Sequence, residues 1–363
     1  MRPLTHMRTR VLAGVVALCL WAAPASAHPV PFSYLDLRLS PGAIDASLVL
    51  HVVDVAHELG IAAPEALLDQ QLGAAREADI ARLLSRRLGL DVNGTRLAAT
   101  WSWLETLRDR QALRLSARIP LDEPLGTLAI DGVLFPYDPQ HRTFVNVYEG
   151  GGPTQAILDA GRTRFEYFAG TRQGVAAIVR KFVPAGIHHI LIGPDHILFL
   201  VGLLLLGGSL RRLALIVTGF TLAHSVTLSL AALNFLNPPA SLVEPAIALS
   251  IVFVGADNLL KKEGRDVRAW IAFAFGFIHG FGFANVLREM DLPARALGWS
   301  LFSFNVGVEI GQLAIVAAVA AAFAAVRSRS EVVGRRLAWA GSVAVIAAGT
   351  FWFAERVVFS GGL

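Results

Sequence analysis

The sequence has almost no cysteine, and its one cysteine, Cys19, lies in an apolar stretch near the N-terminus. Disulfides and thiolate metal ligands are therefore excluded from the rest of the chain. Charged residues are also scarce, at 17% against 54% hydrophobic residues, and the mean hydropathy is +0.55. This composition is too apolar for an ordinary soluble domain and indicates a membrane protein with a soluble portion.

Two further absences narrow the function. The sequence contains no H-E-x-x-H motif and no evident nucleophile–base set, so we predict that the protein is not an enzyme. The net charge of +4 arises from basic residues that cluster at predicted membrane edges, and we expect no nucleic-acid partner. Without thiolates, any metal would be held by imidazole, carboxylate, amide or backbone oxygen.

Residues 1–27 have the three parts of a secretory signal, namely a basic start, an apolar core and a small-residue cleavage site ending at Ala27. Cleavage there would make His28 the first residue. Its amino group and imidazole could then chelate a metal, with His51 or His57 as a further ligand. The alternative is that His28 is a frayed terminus without a ligand role.

Residues 28–170 contain no apolar run of bilayer length, and their polarity alternates over short stretches. The alternation predicts strands at 34–39, 43–53, 97–104, 112–119, 127–133 and 144–148. Leucines and isoleucines at helical spacing predict a helical insertion at 64–88. We expect a β-rich, sandwich-like domain exported to the periplasm, followed by an amphipathic connector at 171–184.

Six apolar runs within residues 185–363 are long enough to cross a bilayer. They lie at about 185–206, 212–233, 241–260, 269–287, 299–325 and 337–354. The first, third and fifth connecting loops carry two, four and four Lys or Arg residues, whereas the other loops and the C-terminal tail carry three in all. The positive-inside rule therefore places the β-rich domain and the C-terminus on the periplasmic side of a bacterial inner membrane.

The most unusual stretch is H-H-I-L-I-G-P-D-H, residues 188–196, at the start of the first span. Ionisable groups inside a bilayer are costly and usually mark a pathway or a bound ion. On a helix, residues seven apart nearly eclipse, which puts His189 over His196 and His188 over Asp195. Because Pro194 cannot donate a backbone hydrogen bond and Gly193 adds freedom, we predict a helix break beside a cation site. The alternative is a polar helix end in the headgroup layer.

Later spans also contain polar groups that could join this site. Glu309 has no basic residue within two turns, so it needs a proton, a cation or a hydrogen-bond partner. We interpret these groups as converging on one interior metal site. The candidate ligands are His188, His189, Asp195, His196, His224, His279 and Glu309, with Asn305 and Asp257 as weaker candidates.

Each of these candidates also has a reading without metal. Asp257 lies four residues before Lys261 and could form an interfacial ion pair, while His224 or Asn305 could hydrogen-bond a neighbouring helix. If a metal does bind, imidazoles with one or two carboxylates suit Ni²⁺ and Co²⁺, and Zn²⁺ or Cu²⁺ also fit. Mg²⁺ and Ca²⁺ would require more oxygen ligands. We expect no permanently bound cofactor, so the ion would be a substrate.

The run from His189 to His196 resembles the first-helix signature of the HupE/UreJ group of nickel and cobalt permeases, in particular a branch with an extended exported domain. The resemblance covers roughly residues 180–355. It implies metal-handling roles for His189, Asp195 and His196. A second permease motif is incomplete, because His279 carries over while the second histidine and the following glutamate of that motif do not.

Three functions therefore compete. The resemblance and the intramembrane histidines favour a permease or secondary transporter for a divalent transition metal, nickel or cobalt first. A non-transporting factor could instead deliver metal to a metalloenzyme or a periplasmic metal carrier. A membrane metalloenzyme with an open coordination position is the third hypothesis. Metal uptake by reconstituted vesicles separates the first from the other two.

Overall fold

Two β-sheets form the N-terminal part of the chain, in a computed structural model that describes residues 32–260, 266–283 and 292–358. The strands are β1 (Phe32–Ser40), β2 (Ala43–His51), β3 (Leu88–Val92), β4 (Thr95–Leu97), β5 (Ser102–Leu107), β6 (Ala112–Pro120), β7 (Thr127–Gly132), β8 (Arg142–Tyr148), β9 (Thr154–Leu158) and β10 (Arg164–Phe168). Between β2 and β3 lie α1 (Val52–Leu59), a 3₁₀ turn (Pro64–Leu68), α2 (Gln70–Ala75) and α3 (Glu77–Arg87).

The sheets have the orders β5-β6-β2-β1-β8-β9 and β10-β7-β3-β4. All neighbouring strands are antiparallel except β1 and β8, which are parallel. Alternate residues of the strands point into one apolar core, which includes Leu35, Leu48, Leu90 and Ile130 and also takes side chains from α1 and α3. The predicted β-rich, sandwich-like fold with a helical insertion is confirmed.

Several strand boundaries differ from those predicted. The predicted strand 43–53 ends at His51, because His51 Nδ1 accepts a hydrogen bond from the amide of Val53 and begins α1. The predicted strand 97–104 is two strands, β4 and β5, and the sequence pattern did not indicate β3, β9 and β10. These three strands have only five residues each, which is too short for alternation to be distinctive.

The C-terminal part consists of helices. They are α4 (Arg172–Ile192), α5 (Pro194–Leu204), α6 (Leu210–Ala232), α7 (Ala240–Leu260), α8 (Arg268–His279), α9 (Ala294–Arg329) and α10 (Glu331–Val358). By length and apolar composition, α4, α6, α7, α9 and α10 could each cross a membrane, while α5 is a shorter apolar helix. The predicted fourth span begins as α8 and a 3₁₀ turn (Gly280–Phe283), and its end lies outside the described residues.

The predicted first span is broken where the sequence indicated. Gly193 adopts an extended conformation between α4 and α5, and Pro194 is the first residue of α5. The predicted connector at 171–184 is instead the first half of α4, which continues through Pro184. The α4 helix begins at Thr171, whose side chain accepts a hydrogen bond from the amide of Gly174.

Helix contacts establish which helix ends share a side of the bundle. Gly170, just after β10, lies against Arg295 in the first turn of α9, so α9 begins beside the β-sheets. Helix α6 runs antiparallel to α9, because His224 contacts Asn305 and Thr218 contacts Glu309. The end of α6 and the start of α7 therefore lie on the side of the β-sheets, which we call the domain side.

The last helix ends on the same side. Helix α10 runs antiparallel to α7, since Gly255 lies against Ser342 and Gly349 lies against Ala248. Near its C-terminal end, Arg356 donates to the carbonyl of Glu244 in the first turns of α7. The β-sheets and the described end of α10 thus share the domain side, an arrangement that an even number of membrane crossings between them would produce.

Candidate metal centre

Four histidines from four helices meet inside the bundle. His189 lies in the last turn of α4, His196 in the first turn of α5, His224 in α6 and His279 at the end of α8. The ring centroids of His189 and His196 are 4.7 Å apart, those of His196 and His279 are 5.1 Å apart, and those of His196 and His224 are 6.2 Å apart. We call these four residues the histidine cluster.

Three histidines of the cluster have ring nitrogens close enough together to bind one metal ion. One ring nitrogen each from His189, His196 and His224 lies within 4.8 Å of the other two. For three atoms so spaced, there is always a point no more than about 2.8 Å from each, whereas a metal–imidazole bond is about 2.0–2.1 Å long. Rotations that move each nitrogen by less than about 1 Å would close the site.

A hydrogen bond to Asn305 determines which nitrogen of His224 is available. The amide of Asn305 donates through Nδ2 to the carbonyl of Leu301, which leaves its Oδ1 facing His224 Nδ1 at 3.3 Å. Because Oδ1 can only accept, Nδ1 of His224 carries the proton and Nε2 carries the lone pair. Within the described part of the chain, Nε2 is buried without a hydrogen-bond partner.

His279 is oriented in the same manner by Ser250 of α7. The hydroxyl of Ser250 donates to the carbonyl of Ile247 at 2.6 Å, so it accepts from Nε2 of His279 at 2.9 Å. The lone pair of His279 is then on Nδ1, which is buried and has no hydrogen-bond partner among the described residues. Such outer partners fix the tautomer and the ring orientation of metal-ligating histidines.

The walls of the cluster are aromatic. Phe199, Phe220 and Phe304 are fully buried, and their rings lie 5.0 to 5.4 Å from those of His279 or His189. His224 and His279 are themselves 0% and 1% exposed. An apolar wall strengthens any metal–nitrogen interaction, and it disfavours protonated imidazole.

A second polar group connects α6 with α9. Thr218 donates to Oε1 of Glu309 at 2.6 Å, and Thr221 donates to Oε1 of Gln312 at 2.9 Å. Glu309 therefore has a hydroxyl partner on one oxygen, while no described residue bonds its buried Oε2. The group of potential metal ligands comprises His189, His196 and His224 and does not include Glu309.

The remaining candidates in the membrane part do not belong to the histidine cluster. Asp195 forms an ion pair with Arg356 of α10, at 2.8 Å. His188 is on an exposed face of α4. Asp257 lies seven residues beyond Ser250 on α7, which is about 10 Å along the helix axis.

The histidines of the β-domain have other contacts. His51 begins α1, and the ring of His57 stacks on Tyr137 with centroids 3.7 Å apart. His28 lies outside the described residues. The terminal metal site that combines it with His51 or His57 therefore stays a prediction.

Sequence reasoning missed two residues that the structure brings to the candidate groups. These are Ser250, a serine within an apolar span, and Arg356, a basic residue of the C-terminal tail. Their partners, His279 and Asp195, are 29 and 161 positions away in the sequence. The local sequence does not indicate which partner such a residue has. It indicates only that a lone hydroxyl or guanidinium in an apolar helix needs a buried or interfacial partner.

A comparison with known protein families gave a match over the helical part of the chain. The family described as HupE / UreJ protein matches residues 167–356, which is more than half of the chain and contains α4 to α9 and nearly all of α10. A comparison with curated proteins gave no match.

Proposed function

The chain belongs to the HupE/UreJ family, and from this membership and the histidine cluster we propose that it is a membrane permease for a divalent transition metal, with nickel or cobalt as the preferred ion. The observation that carries the proposal is the convergence of His189, His196 and His224 within 4.8 Å inside an apolar bundle. Buried ionisable groups of this kind are rare in membrane helices and usually mark a transport pathway.

The donor set supports the choice of ion. Neutral imidazole suits Ni²⁺, Co²⁺, Zn²⁺ and Cu²⁺, whereas Mg²⁺ and Ca²⁺ bind mainly oxygen. The lone pairs on His224 Nε2 and His279 Nδ1 are available without loss of a proton, because Asn305 and Ser250 hold the protons on the opposite nitrogens. In our proposal His189, His196 and His224 bind the ion, and His279 completes the coordination or receives the ion next.

The charge of the site favours passage over storage. Neutral histidines leave the two positive charges of the ion uncompensated in an apolar surrounding, which is unfavourable for a permanent site. Conduction requires binding that is strong enough for entry and weak enough for release. The carboxylates of Asp195 and Glu309 are not available to compensate the charge of the ion, because each is engaged by another residue of the chain.

The test is nickel and cobalt flux into vesicles that contain the purified protein, read by a metal-sensitive dye inside. Wild-type protein should transport, and His196→Ala should not, at equal protein content. Ser250→Ala should weaken metal binding about 10- to 100-fold by releasing His279. Ser342→Ala is the matched control, because this buried serine of α10 also donates to a backbone carbonyl within its own helix.

The outcomes separate the competing functions. Flux that is unchanged in His196→Ala would refute the assigned site. Metal binding by the wild-type protein without flux would instead support the factor that delivers metal to a metalloenzyme or a periplasmic carrier. We further propose that the β-domain is periplasmic and the membrane is a bacterial inner membrane, as the distribution of basic loop residues predicts.

A further inference from the structure

The carboxylate of Asp195 is occupied by an arginine of the same chain. Nη2 of Arg356 lies 2.8 Å from Oδ2 and 3.1 Å from Oδ1 of Asp195. Nη1 of the same guanidinium donates to the carbonyl of Glu244 at 3.1 Å, and the guanidinium lies over the ring of Trp352 at 5.9 Å. One side chain thus connects α5, α7 and α10.

This ion pair lies next to the histidine cluster, toward the domain side. Asp195 immediately precedes His196, so the two residues are in the same first turn of α5. Glu244 precedes Ser250, the partner of His279, by six residues, or about 9 Å along α7. An ion that moves from the domain side to the cluster would meet the pair before it meets the imidazoles.

The pair is also reachable. The side chains of Arg356 and Asp195 are 19% and 20% exposed, whereas His224 and His279 are almost fully buried. Arginine keeps its positive charge at every relevant pH. The guanidinium of Arg356, a fixed monovalent cation, therefore occupies a carboxylate to which a divalent cation would be attracted.

We propose that Arg356 is an internal competitor for Asp195, so that an entering divalent cation must displace its guanidinium from the carboxylate before reaching the histidine cluster. This inference rests on the proposed permease function. The displaced guanidinium keeps the carbonyl of Glu244 and the ring of Trp352 as partners, so its release from Asp195 does not leave it unsatisfied. A divalent ion has twice the charge of a competing monovalent ion, and the pair therefore favours entry of divalent ions.

The test compares radioactive nickel uptake by cells that produce wild-type protein or Arg356→Gln. Removing the competitor should lower the apparent KM for nickel about five- to tenfold, as expected for the loss of one partly buried charge pair. Potassium at high concentration should inhibit Arg356→Gln more than wild type. Arg336→Gln, in an exposed position near the other end of α10, is the matched control and should leave both quantities unchanged.

If Arg356 only holds α5, α7 and α10 together, the Arg356→Gln variant gives a different result. Arg356→Gln would then lower the maximal rate and the thermal stability of the purified protein, with an unchanged or raised KM, and that result would overturn the proposal. In an Asp195→Asn background, a competitor has nothing to occupy, so Arg356→Gln should no longer change KM. A persisting effect of Arg356→Gln on KM in that background would also refute it.

The two proposals fail in distinguishable ways. If wild-type cells take up nickel and Arg356→Gln has the same KM, the competitor is refuted and the permease stands. If wild-type cells take up neither nickel nor cobalt, and the purified protein binds neither ion in calorimetry, both proposals are refuted together.

Discussion

Buried polar groups in this protein are oriented by hydrogen-bond partners in both of its parts. In the bundle, Asn305 and Ser250 fix the tautomers of His224 and His279. In the β-domain, Tyr137 donates to Oδ1 of Asp54 at 2.5 Å, and Nδ1 of His141 lies 3.6 Å from Oδ2 of the same carboxyl group.

Ser33, His141 and Asp54 follow one another in space as the serine, histidine and aspartate of a hydrolase triad do, since Ser33 Oγ lies 3.1 Å from His141 Nε2. Ser33, His141 and Asp54 are all buried, however, and Ser33 is 0% exposed. A nucleophile without access to substrate does not support hydrolysis. We therefore interpret the group as a structural polar network of the core, in which Tyr137 is hydrogen-bonded to Asp54 and Ser33 to His141.

This network predicts a specific pH dependence of stability. Burial raises the pKa of Asp54 to about 6 and lowers the pKa of His141 to about 4. The folded state therefore binds the Asp54 proton more tightly than the unfolded state, so this contribution to stability falls as pH rises from about 4 to 6. The His141 contribution has the opposite sign, since it is lost as pH falls from about 6.5 to 4, and the two nearly cancel.

The Asp54→Asn variant should remove the first contribution and leave the second. Relative to wild type, its free energy of unfolding should rise by about 1–2 kcal/mol between pH 4.5 and 6. The measurement is pulse proteolysis of the full-length protein in urea, scored on cleavage of the β-domain. Parallel pH profiles for the two proteins would show that Asp54 does not titrate in this range.

At the scale of elements, the site depends on where helices break and how closely they approach. A β-carbon at Gly193 would lie 2.8 Å from the carbonyl oxygen of His189 and 3.0 Å from Nδ1 of His196, so the break between α4 and α5 requires glycine to bring these rings together. Helix α8 and the 3₁₀ turn after it approach α6 through Gly276 and Gly280, where any side chain would meet the backbone of Phe220 or His224.

The seam between α4 and α9 provides a sharp test. These helices run in the same direction, and a β-carbon at Gly307 would overlap the carbonyl oxygen of Val183. Gly307→Ala should therefore destabilise the bundle by about 1–3 kcal/mol, as overpacking does, and weaken metal binding by displacing His189. Thermal unfolding in detergent measures the first effect, and calorimetry with Ni²⁺ measures the second.

Gly298→Ala is the matched control on the same helix, because a β-carbon there would have no atom within 4 Å among the described residues. It should preserve both the melting temperature and the affinity. Equal effects of the two substitutions would mean that helix propensity, rather than close approach, determines the stability of α9.

At the scale of the whole molecule, the β-domain and the described end of α10 lie on one side of the bundle, while the junction of α9 and α10 at Ser330 lies on the other. Basic residues cluster near that junction, including Arg327, Arg329, Arg335 and Arg336. The positive-inside rule predicts that the junction is cytoplasmic and the β-domain periplasmic.

Single cysteines can test this orientation, because Cys19 is the only native one. In a Cys19→Ser background, a membrane-impermeant maleimide should label Gly151→Cys in intact cells. It should label Ser328→Cys only after the cells are permeabilised. Both positions are exposed, so the comparison depends on membrane sidedness alone. Labelling of Ser328→Cys in intact cells would reverse the predicted orientation.

The sequence by itself determined the features that depend on local chemistry or periodicity. These are the apolar helices, the alternation of the longer strands, and the break at Gly193 and Pro194, which follows from the missing backbone donor of proline. It also placed His189 and His196 on one helix face, about 10 Å apart along the axis of an unbroken helix. The break at Gly193 brings their ring centroids to 4.7 Å. The family was visible for the same reason, because its signature lies within eight consecutive residues.

Only the tertiary structure decided which distant groups become partners. Asp195 and Arg356 are separated by 161 positions, and His224 and Asn305 by 81. Their pairing depends on the crossing and register of whole helices, which close contacts at Gly186, Gly280 and Gly307 establish. Apart from the carbonyls of its own helix, a polar side chain in an apolar helix has few partners, so its distant partner is whichever group packing brings within reach. Sequence periodicity predicts the face of a helix, but it does not specify the neighbour.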